Sequence, residues 1–530
     1  MSQIETGKAA PARVIPLHEL AVHLHPADNV AIAKAPLQPG TVLIREDTPP
    51  EATRICVQQP VPTAHKIALE AIGEGQPVLR YGHLIGLALK DIQPGEHVHT
   101  HNLGLGAASR EYAPARGRPP VAHLPKDRRR TFLGYLRADG RVATRNYIAV
   151  ISTVNCSAHA CLEIARHFTP ERLAPYPNVD GVIALTFRGG CTMQPDGETY
   201  STLQRTLAGM ARHPNVGAAL LVGLGCETNQ ASALIQNYGL GEPSAAPVFV
   251  STIQQSGGSG PTIQAGIATV KDLLPRVDDV TRTPQPLSGI TLALQCGGSD
   301  GWSGVTANPV VGLVADELVR QGGTVVLAET PEIYGAEYLL TARAVNPEVA
   351  RELVEQVRWW ETYAQRIGTQ IDNNPSYGNK AGGLTTIYEK ALGAVAKSGS
   401  TPLNAVVGYA EPVTDSGLVF MNTPGFDPVS VTGQVAGGCN LVLFTTGCGS
   451  AFGFKPAPSI KVSSSTALAR QMPGDIDFDA GQVLSSASME RLAGELLDLV
   501  LAVASGQPSK SEALGIGEAE FSPWHLGELL

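Results

Sequence analysis

The stretch NYIAVISTV, residues 146–154, is apolar through its centre and carries no charge. Three further runs of this kind follow it, with helix-like segments such as SAHACLEIARHF between them: GVIALTF (181–187), GAALLVGLG (217–225) and APVFVS (246–251). Strands without polar alternation are buried on both faces, which is typical of a parallel sheet covered by helices. This pattern predicts an α/β lobe over residues 131–285.

A second set of strand-like runs begins after a Pro- and charge-rich break, PRVDDVTRTPQPLSG, near residues 275–289. Its strand candidates are ITLALQ (290–295), GTVVLAE (323–329), NAVVGYA (404–410) and NLVLFTT (440–446). Amphipathic helical segments lie between them, including ANPVVGLVADELVRQ at 307–321. We therefore expect a second α/β lobe over 286–530; one large divided sheet is the alternative.

Upstream, residues 11–103 contain short strand-like runs broken by Pro-Gly and Gly turns, which indicates a small β-rich module. Within it, TAHKIALEAIGEG (63–75) predicts a short helical turn. Residues 104–130 combine Pro, Gly and Arg without apolar periodicity and are predicted to be a mobile linker that a protease cuts first. The predicted fold class is α/β: a small N-terminal β-rich module, then a large two-lobed body with mostly parallel sheets.

Composition excludes several classes of function. The 530 residues are 43% hydrophobic with a net charge of −9, and no basic face indicates a nucleic-acid partner. The first residues lack the apolar core of a signal peptide, and no apolar run approaches the ~18 residues of a membrane span. We expect a soluble, cytoplasmic protein with a small-molecule substrate and no membrane partner.

Histidines cluster near the N-terminus: eight of the 13 lie within the first 101 residues. His97, His99 and His101 alternate along HVHTHN (97–102), so a strand would place them on one face. Histidine is both the proton carrier that titrates near neutral pH and the commonest metal ligand. The clustering favours a functional site; the alternative is a surface strand with solvated imidazoles.

Four cysteines occur where a predicted strand ends or in the loop that follows: Cys156, Cys191, Cys226 and Cys296. Ligands of open α/β sheets bind at the carboxyl ends of the strands, so these thiols could share one crevice. Thiolates with imidazole or carboxylate neighbours hold iron or zinc. The alternative is that they are small buried residues packed under tight turns.

Two glycine-rich strings, QSGGSGPT (255–262) and CGGSDGWSG (296–304), match neither the dinucleotide-binding pattern nor the P-loop pattern. No nucleotide cofactor is therefore expected. Their backbone amides and Ser or Asp side chains could instead bind a carboxylate or hydroxyls. The string NPSYGNKAGG (374–383) could bind a polyol carboxylate in the same way or simply cap a turn.

Longer motifs carry a family resemblance. They are HPADNVAIA (25–33), AHKIAL (64–69), YGHLIG (81–86), GEHVHTHN (95–102), GYLRADGRVATRN (134–146), VNCSA (154–158), GLGCETNQ (223–230), LQCGGSDGWSGVTANPVVG (294–312), ETPEIYGAE (329–337), NPSYGNKAGGLTTIYEKALG (374–393) and FTTGCGSAFGFKPAPSIKV (444–462). Together they resemble the altronate and galactarate dehydratase family, in order and at family spacing.

The resemblance implies a SAF (β-clip-like) module and an iron(II)-dependent, manganese-tolerant hydro-lyase. Its substrate would be an altronate-like or galactarate-like sugar acid, and its product a 2-keto-3-deoxy acid. A sulfolactate sulfo-lyase branch of the family eliminates sulfite instead of water. We also expect a homo-oligomer, such as a dimer.

Removal of water next to a carboxylate needs a base, an acid for the leaving hydroxyl and a cation for the developing charge. The candidates for proton transfer are His25, Asp28, His65, Lys66, Tyr81, His99 and His101. The candidates for metal binding, with iron(II) expected near the first two, are Cys191, Cys226, Glu227 and Cys296. The candidates for substrate binding are Arg145, Ser299, Asp300, Asn379 and Lys380. His65 is the first choice as the acid–base group because AHK is the most family-like short motif of the module.

Two positions depart from the family pattern. Phe187 stands where family members usually have a histidine, and Cys448 stands where the familiar motif has an arginine. Both changes remove a polar group that could bind metal or a substrate anion. They motivate a second hypothesis, a non-catalytic relative that binds sugar acids as a sensor.

Overall fold

The computed structural model describes residues 14–45, 54–106, 117–119, 121–242, 246–485 and 487–526. The ends of the predicted module and second lobe (11–13 and 527–530) and part of the predicted linker (107–116 and 120) lie outside the described residues. The linker boundary therefore stays a prediction. The described parts of that segment contact the body, since the Arg118 and Leu124 amides donate to the carbonyls of Ala344 and Arg320.

In the described residues, the N-terminal module has ten short strands in three small sheets and one helical turn, Leu17–Leu20. The strands of the first sheet are Val14–Pro16, Val42–Ile44 and Arg54–Cys56; those of the second are Ala21–Val22, Val30–Ala33, Lys66–Ala68 and His97–Val98; those of the third are Pro77–Arg80, His83–Ala88 and Leu103–Gly104. The helical turn expected at 63–75 is wrong. Lys66–Ala68 is a strand with every residue buried, because it pairs on both sides inside the second sheet.

The first lobe contains a four-stranded parallel sheet in the order Gly181–Leu185, Tyr147–Ser152, Val216–Gly223 and Val248–Thr252. A three-stranded antiparallel sheet lies beside it, with strands Thr131–Leu136, Val142–Ala143 and Thr283–Pro286. The helices are Ala158–Arg166, Pro170–Leu173, Glu198–Ala211, Ala231–Tyr238 and Ser259–Asp278, with short 3-10 turns at Lys126–Arg128, Asn155–Ser157 and Leu287–Gly289.

The strand Tyr147–Ser152 explains why this lobe has three layers. Ile148 and Val150 pack on one face of the sheet, against the helices Ala158–Arg166 and Ser259–Asp278. Ala149 and Ile151 point to the opposite face, towards the helix Glu198–Ala211. Alternate side chains of one strand thus enter two different cores, which is why the sequence is apolar without alternation.

The second lobe contains a seven-stranded parallel sheet in the order Leu403–Val407, Gly417–Met421, Thr324–Leu327, Thr291–Cys296, Leu441–Thr446, Ser459–Ser463 and Phe478–Asp479. Its helices are Ala307–Arg320, Tyr338–Thr341, Pro347–Arg366, Tyr377–Ala381, Ile387–Ala396, Asp427–Ala436, Thr466–Gln471, Met489–Ala504 and Lys510–Ala513, with 3-10 turns at Thr330–Ile333, Ile371–Asn373 and Ala480–Ser485. The predicted fold class is confirmed: a β-rich module precedes an α/β body with parallel sheets.

Shared cores join the three parts. Ile151 of the four-stranded sheet and Val442 of the seven-stranded sheet belong to one buried apolar cluster. Ile85 of the module shares a second cluster with Leu340 and Leu392 of the larger lobe. The module is therefore packed directly on the seven-stranded lobe. No helix among the described residues is long and apolar enough to cross a bilayer.

Candidate active site

Three histidines of the module form a compact group of rings. Their centroids lie 5.0 Å apart for His65 and His97, 4.9 Å for His65 and His99, and 5.3 Å for His97 and His99. His101 lies at the edge of this group, with its ring 5.5 Å from that of His97. The alternation of HVHTHN and the neighbouring strand at Lys66–Ala68 bring these rings together.

The histidine group contacts the backbone of the larger lobe. Nε2 of His65 lies 3.0 Å from the carbonyl oxygen of Ala381, and Nε2 of His99 lies 2.9 Å from that of Lys380. A carbonyl only accepts, so each Nε2 carries the hydrogen. In the neutral ring, Nδ1 of His65 then carries a lone pair, which faces Nε2 of His97 at 2.9 Å.

Burial keeps these imidazoles neutral. It lowers the pKa of His97 to about 3 and that of His99 to about 4, and it also lowers the pKa of His65. The positive charges of the neighbouring histidines lower the pKa of His97 further. At neutral pH the group is therefore a set of uncharged bases held against a fixed backbone.

A buried carboxylate ties the module to the larger lobe at this point. Nζ of Lys66 lies 2.8 and 2.9 Å from the two carboxylate oxygens of Glu389 and 2.7 Å from the Gly383 carbonyl. Arg80 donates to the same carboxylate, and Thr385 donates to it through its amide and hydroxyl. Burial alone would raise the pKa of Glu389, but Lys66 and Arg80 bring it down to about 2. The desolvated Lys66 ammonium has a pKa lowered to about 8.

Three other residues predicted to transfer protons, Asp28, Tyr81 and His25, are engaged in hydrogen bonds or close packing within the protein. The carboxylate of Asp28 accepts the backbone amides of His25, Tyr81 and Gly82 at 3.2, 3.0 and 2.7 Å, so it braces two turns. Burial raises the pKa of Tyr81 to about 12. The Tyr81 hydroxyl lies so close to Gly304 that a Cβ there would be 2.5 Å from it. Nδ1 of His25 accepts the Ala27 amide at 3.1 Å.

Four of the five predicted substrate-binding residues lie next to the histidine group. Asn379 belongs to a capping box with Ser376, and its amide donates to the Ser299 carbonyl at 2.7 Å. Asp300 is buried and accepts the amides of Trp302 and Ser303 and the Ser464 hydroxyl. Lys380 presents its carbonyl to His99. These residues shape the loop around the histidines.

Arg145 lies elsewhere and has a structural role. Its five N–H donors bond Glu512 twice and the carbonyls of Thr144, Val503 and Gln507. The side chain is 3% exposed. The structure contradicts the prediction that Arg145 binds substrate, because every donor already has an acceptor within the protein and four of the five acceptors lie in the C-terminal segment.

A thiol and two carboxylates meet at the carboxyl ends of two central strands of the larger lobe. Cys296, Glu329 and Glu332 are buried, and one ligand atom of each lies within 4.8 Å of the others. Sγ of Cys296 is 3.4 Å from Oε2 of Glu332 and 3.8 Å from Oε2 of Glu329. Sequence reasoning singled out only Cys296. Both glutamates lie in the family-like motif ETPEIYGAE, which was the signal available for them.

The chemistry of this group fits a metal ion. Oε1 of Glu329 is buried without a hydrogen-bond partner among the described residues, and the backbone of Glu329 is left-handed, with φ 69°. Burial and the neighbouring Glu332 raise the pKa of Glu329 well above its ordinary value. An unpartnered buried carboxylate oxygen is costly unless a proton or a cation satisfies it.

Two buried lysines balance the charge of the group. Nζ of Lys390 is 2.8 Å from Oε1 of Glu332, and Nζ of Lys397 is 3.9 Å from Oε2 of Glu329. Burial favours the neutral form of Glu332, but the two ammonium groups outweigh that effect and lower its pKa. Burial, followed by the charge of Glu332, raises the pKa of nearby Asp427 to about 6. The site therefore holds one ionised and one protonatable glutamate.

One loop joins the group of Cys296, Glu329 and Glu332 (the carboxylate–thiol group) to the histidine group. Asn374 accepts from Lys390 at 2.6 Å and donates to Glu332 at 3.1 Å. Seven residues later in the chain, the carbonyl of Ala381 meets His65. The string NPSYGNKAGG thus contacts both groups.

The other predicted metal ligands lie outside this group. Cys191 and Cys226 are exposed at the end of the four-stranded sheet, whereas Cys296 is buried in the seven-stranded lobe. The carboxylate of Glu227 accepts the Thr153 hydroxyl at 2.8 Å and the amides of Leu224 and Gly225 at 3.1 and 2.6 Å. Glu227 thus braces its own turn. A role of the two thiols in metal binding stays a prediction.

The two departures from the family pattern have different surroundings. Phe187 is buried, with its ring 6.5 Å from that of Phe521, so this position serves the core. Cys448 is exposed, and its thiol donates to the Gly378 carbonyl at 3.5 Å. Only the second departure touches the loop that joins the two groups.

Three family descriptions match successive parts of the chain: "Altronate/galactarate dehydratase SAF domain" at residues 19–105, "D-galactarate dehydratase/Altronate hydrolase, second domain" at 134–278 and "D-galactarate/Altronate dehydratase, C-terminal" at 287–529. The N-terminal module is thus similar to SAF domains.

Full-length relatives agree with these matches. Altronate dehydratase of Escherichia coli (strain K12) is 35% identical over 493 residues, which cover 93% of this chain and 96% of that protein. Galactarate dehydratase (L-threo-forming) of the same organism is 34% identical over 92% of this chain and 93% of its own length. The (2R)-sulfolactate sulfo-lyase subunit beta of Chromohalobacter salexigens is 32% identical over 73% of this chain and 95% of its length. The chain belongs to the D-galactarate/altronate dehydratase family.

Proposed function

We propose that this protein is a metal-dependent hydro-lyase that converts an altronate-like or galactarate-like sugar acid to a 2-keto-3-deoxy acid. The observation that carries the proposal is the loop 374–383, whose Asn374 touches the carboxylate–thiol group and whose Ala381 carbonyl touches His65. Elimination next to a carboxylate requires a neutral base and a cation site, and this one loop contacts candidates for both.

His65 is the proposed base for the Cα proton. Its Nε2–H is fixed by the Ala381 carbonyl, so its Nδ1 carries the lone pair. Nε2–H of His97 donates to that lone pair in the structure, and the Cα proton of the substrate would take the place of this bond. Lys66 next to it is engaged with Glu389 and holds the strand in place. His99, restrained by the Lys380 carbonyl, is the proposed acid for the leaving hydroxyl once it has taken up a proton.

Cys296, Glu329 and Glu332 would hold the metal, for which we propose iron(II), with manganese as a substitute. A bound divalent ion would supply positive charge that stabilises the substrate carboxylate as its Cα proton leaves. The unpartnered oxygen of Glu329 supports this assignment. Lys380, whose backbone is fixed by the capping box of its short helix, is the proposed partner of a substrate carboxylate.

The test is a substrate panel on anaerobically purified, iron(II)-loaded protein. We expect 2-keto-3-deoxy acid from altronate or galactarate, and loss of product after a chelator removes the metal. A sugar acid that binds without turnover, with no product from any aldonate or aldarate, would favour the non-catalytic sensor. Release of sulfite from sulfolactate would favour the sulfo-lyase, which the similarity to a sulfo-lyase subunit supports over 73% of the chain.

Two further expectations belong to this proposal. A homo-oligomer, such as a dimer, would be recognised by light scattering at several protein concentrations. A cytoplasmic location would be tested by fractionation of the native host.

A further inference from the structure

Three cysteines of the first lobe are exposed at one end of its parallel sheet: Cys156, Cys191 and Cys226. They follow three neighbouring strands, whose order in the sheet is Gly181–Leu185, Tyr147–Ser152 and Val216–Gly223. Cysteine is among the residue types most often buried, and exposed thiols are prone to oxidation. Three of them on adjacent loops at the carboxyl edge of a parallel sheet therefore indicate a ligand-binding role.

Hydrogen bonds between the loops fix the cysteines relative to one another. The amide of Asn155, next to Cys156, donates to the Gly189 carbonyl at 3.0 Å. The amide of Thr228 donates to the carbonyl of Cys191 at 2.8 Å. The three loops thus form one bonded rim, to which the side chain of Glu227 adds its own bonds within the third turn.

Backbone conformation and close packing explain the glycine that precedes each of two cysteines. Gly190 has φ 83°, and a Cβ there would lie 2.4 Å from the Thr153 carbonyl oxygen. Gly225 has φ 125°, and a Cβ there would lie 2.5 Å from Oε1 of Gln254. The amide of that glutamine points back to the rim and lies 3.3 Å from Sγ of Cys226. At Gly190 any side chain would clash with the backbone of the neighbouring loop, whereas at Gly225 the positive φ itself disfavours a residue with a Cβ.

The spacing of the rim favours a polynuclear centre. Two thiolates on one ion, with metal–sulfur bonds of about 2.3 Å, lie within about 4 Å of each other. Neighbouring strands are about 4.8 Å apart, so the outer two of three strands are about 10 Å apart. Among the described residues, the one group of three ligand atoms within 4.8 Å is Cys296, Glu329 and Glu332. The rim cysteines therefore do not offer a preformed site for a single ion.

We propose that Cys156, Cys191 and Cys226 bind an iron–sulfur cluster of the [4Fe–4S] class. Each thiol would lose its proton and form one bond to a different iron, which leaves the remaining iron without a protein thiolate. The exposure of the rim would keep that iron open to water or to an oxygen ligand of a small molecule. This site is separate from the Cys296 group and does not rest on the proposed function.

The test is anaerobic reconstitution of the full-length protein with iron salts, sulfide and dithiothreitol. We expect iron and acid-labile sulfide to be retained in equal amounts after gel filtration, with the broad visible absorption of a cluster. Cys156→Ser, Cys191→Ser and Cys226→Ser should each lose most of the sulfide. Cys448→Ser, which removes an exposed thiol of the other lobe, and Cys296→Ser should retain it.

A second measurement avoids dependence on variants that fold poorly. In the reconstituted wild-type protein, the three rim cysteines should be protected from alkylation while Cys448 reacts. Iron retained without sulfide, full cluster content in all three serine variants, or equal alkylation before and after reconstitution would each overturn the proposal. Because none of these readouts uses turnover, a failure of the dehydratase assay leaves the cluster result intact.

Discussion

The histidine group with its neighbouring Lys66–Glu389 ion pair and the rim of Cys156, Cys191 and Cys226 are built in opposite ways. At the first, the polar groups of the module find their partners about 300 residues away in the chain, as in the bonds of His65 to Ala381 and of Lys66 to Glu389. At the second, the three cysteines span 71 residues, from Cys156 to Cys226, on loops of one small sheet. At the first site, His65 and the ion pair of Lys66 with Glu389 are buried, whereas the three thiols of the second site are exposed.

This difference determines how each site responds to change. A buried network tolerates no unpaired charge, so the loss of one partner costs both stability and geometry. An exposed rim depends on backbone shape, so a thiol can be removed with little effect on folding. Substitutions at the two kinds of site should therefore differ in their effects on stability and on activity.

The largest effect is expected for His65→Asn. The variant removes the lone pair proposed to accept the Cα proton, so turnover should fall by ~10²-fold or more, while metal content stays unchanged. His123→Asn is a matched control, because His123 is exposed in the described part of the linker. Steady-state rates on the best substrate and metal analysis of both variants provide the measurement. Near-normal turnover in His65→Asn would move the role to His25, His99 or His101.

The second prediction concerns the junction of module and body. Glu389→Gln leaves the buried cations Lys66 and Arg80 without a countercharge and should lower the free energy of unfolding by about 3–5 kcal/mol. Glu495→Gln, which breaks an exposed helical pair with Arg491, should cost less than about 0.5 kcal/mol. Urea unfolding of the two variants gives the comparison. Equal costs would show that the junction contributes no more than a surface pair.

Sequence reasoning found the local parts of this molecule and missed the distant ones. The parallel strands, the β-rich module, the histidine strand and the cysteines at strand ends all follow from patterns within about ten residues of each other. Glu329, Glu332 and Glu389 lie in family-like motifs, but the motifs alone do not single them out, because the role of each depends on a partner distant in sequence. The prediction that Arg145 binds substrate failed for the same reason, because nothing nearby in the sequence shows that Glu512 accepts hydrogen bonds from its guanidinium.

The helical turn expected at residues 63–75 failed for a related reason. KIALEAIG has helical composition, but Lys66–Ala68 is the central part of a small sheet and is fixed by strands on both sides. Tertiary pairing therefore overrides local propensity. The same pairing places His65 beside His97, so the error in the local prediction coincides with the site.

The third prediction uses the two glutamates of the carboxylate–thiol group. Glu332→Gln weakens the buried ion pair with Lys390 and should destabilise the metal-free protein by about 1–3 kcal/mol. Glu329→Gln should be neutral or stabilising at pH 7, because the raised pKa means that the ionised form of Glu329 is disfavoured in the fold. Both variants should lose bound iron(II). Metal-free unfolding curves and metal titrations test both statements, and iron binding unchanged in both variants would exclude this group as the metal site.

The smallest expected effect is a slope in the pH dependence of stability. The folded-state pKa of His97 is about 3, below its ordinary value of 6.5, so between these values the unfolded chain binds a proton that the folded chain does not. Stability due to this residue is therefore complete above pH 6.5 and is lost as the pH falls towards 3. His97→Gln removes that term, so its stability should fall less steeply than that of the wild type between pH 6.5 and 4.5.

Above pH 4.5, the pH dependence of stability reports on the histidines and not on the ion pair of Lys66 with Glu389. Glu389, with a folded pKa of about 2 against an ordinary 4.5, loses its stabilisation only below that range. The raised pKa of Glu329 has the opposite effect on stability, because the folded chain binds this proton at a higher pH than the unfolded chain does. Glu329 is present in wild type and in His97→Gln, so its contribution cancels in the difference. Thermal unfolding of wild type and His97→Gln at matched ionic strength gives that difference. Equal slopes of stability against pH in the two proteins would mean that the histidine group is charged or solvated in the folded protein. The histidine group and the exposed rim would then not differ in the burial of titratable groups.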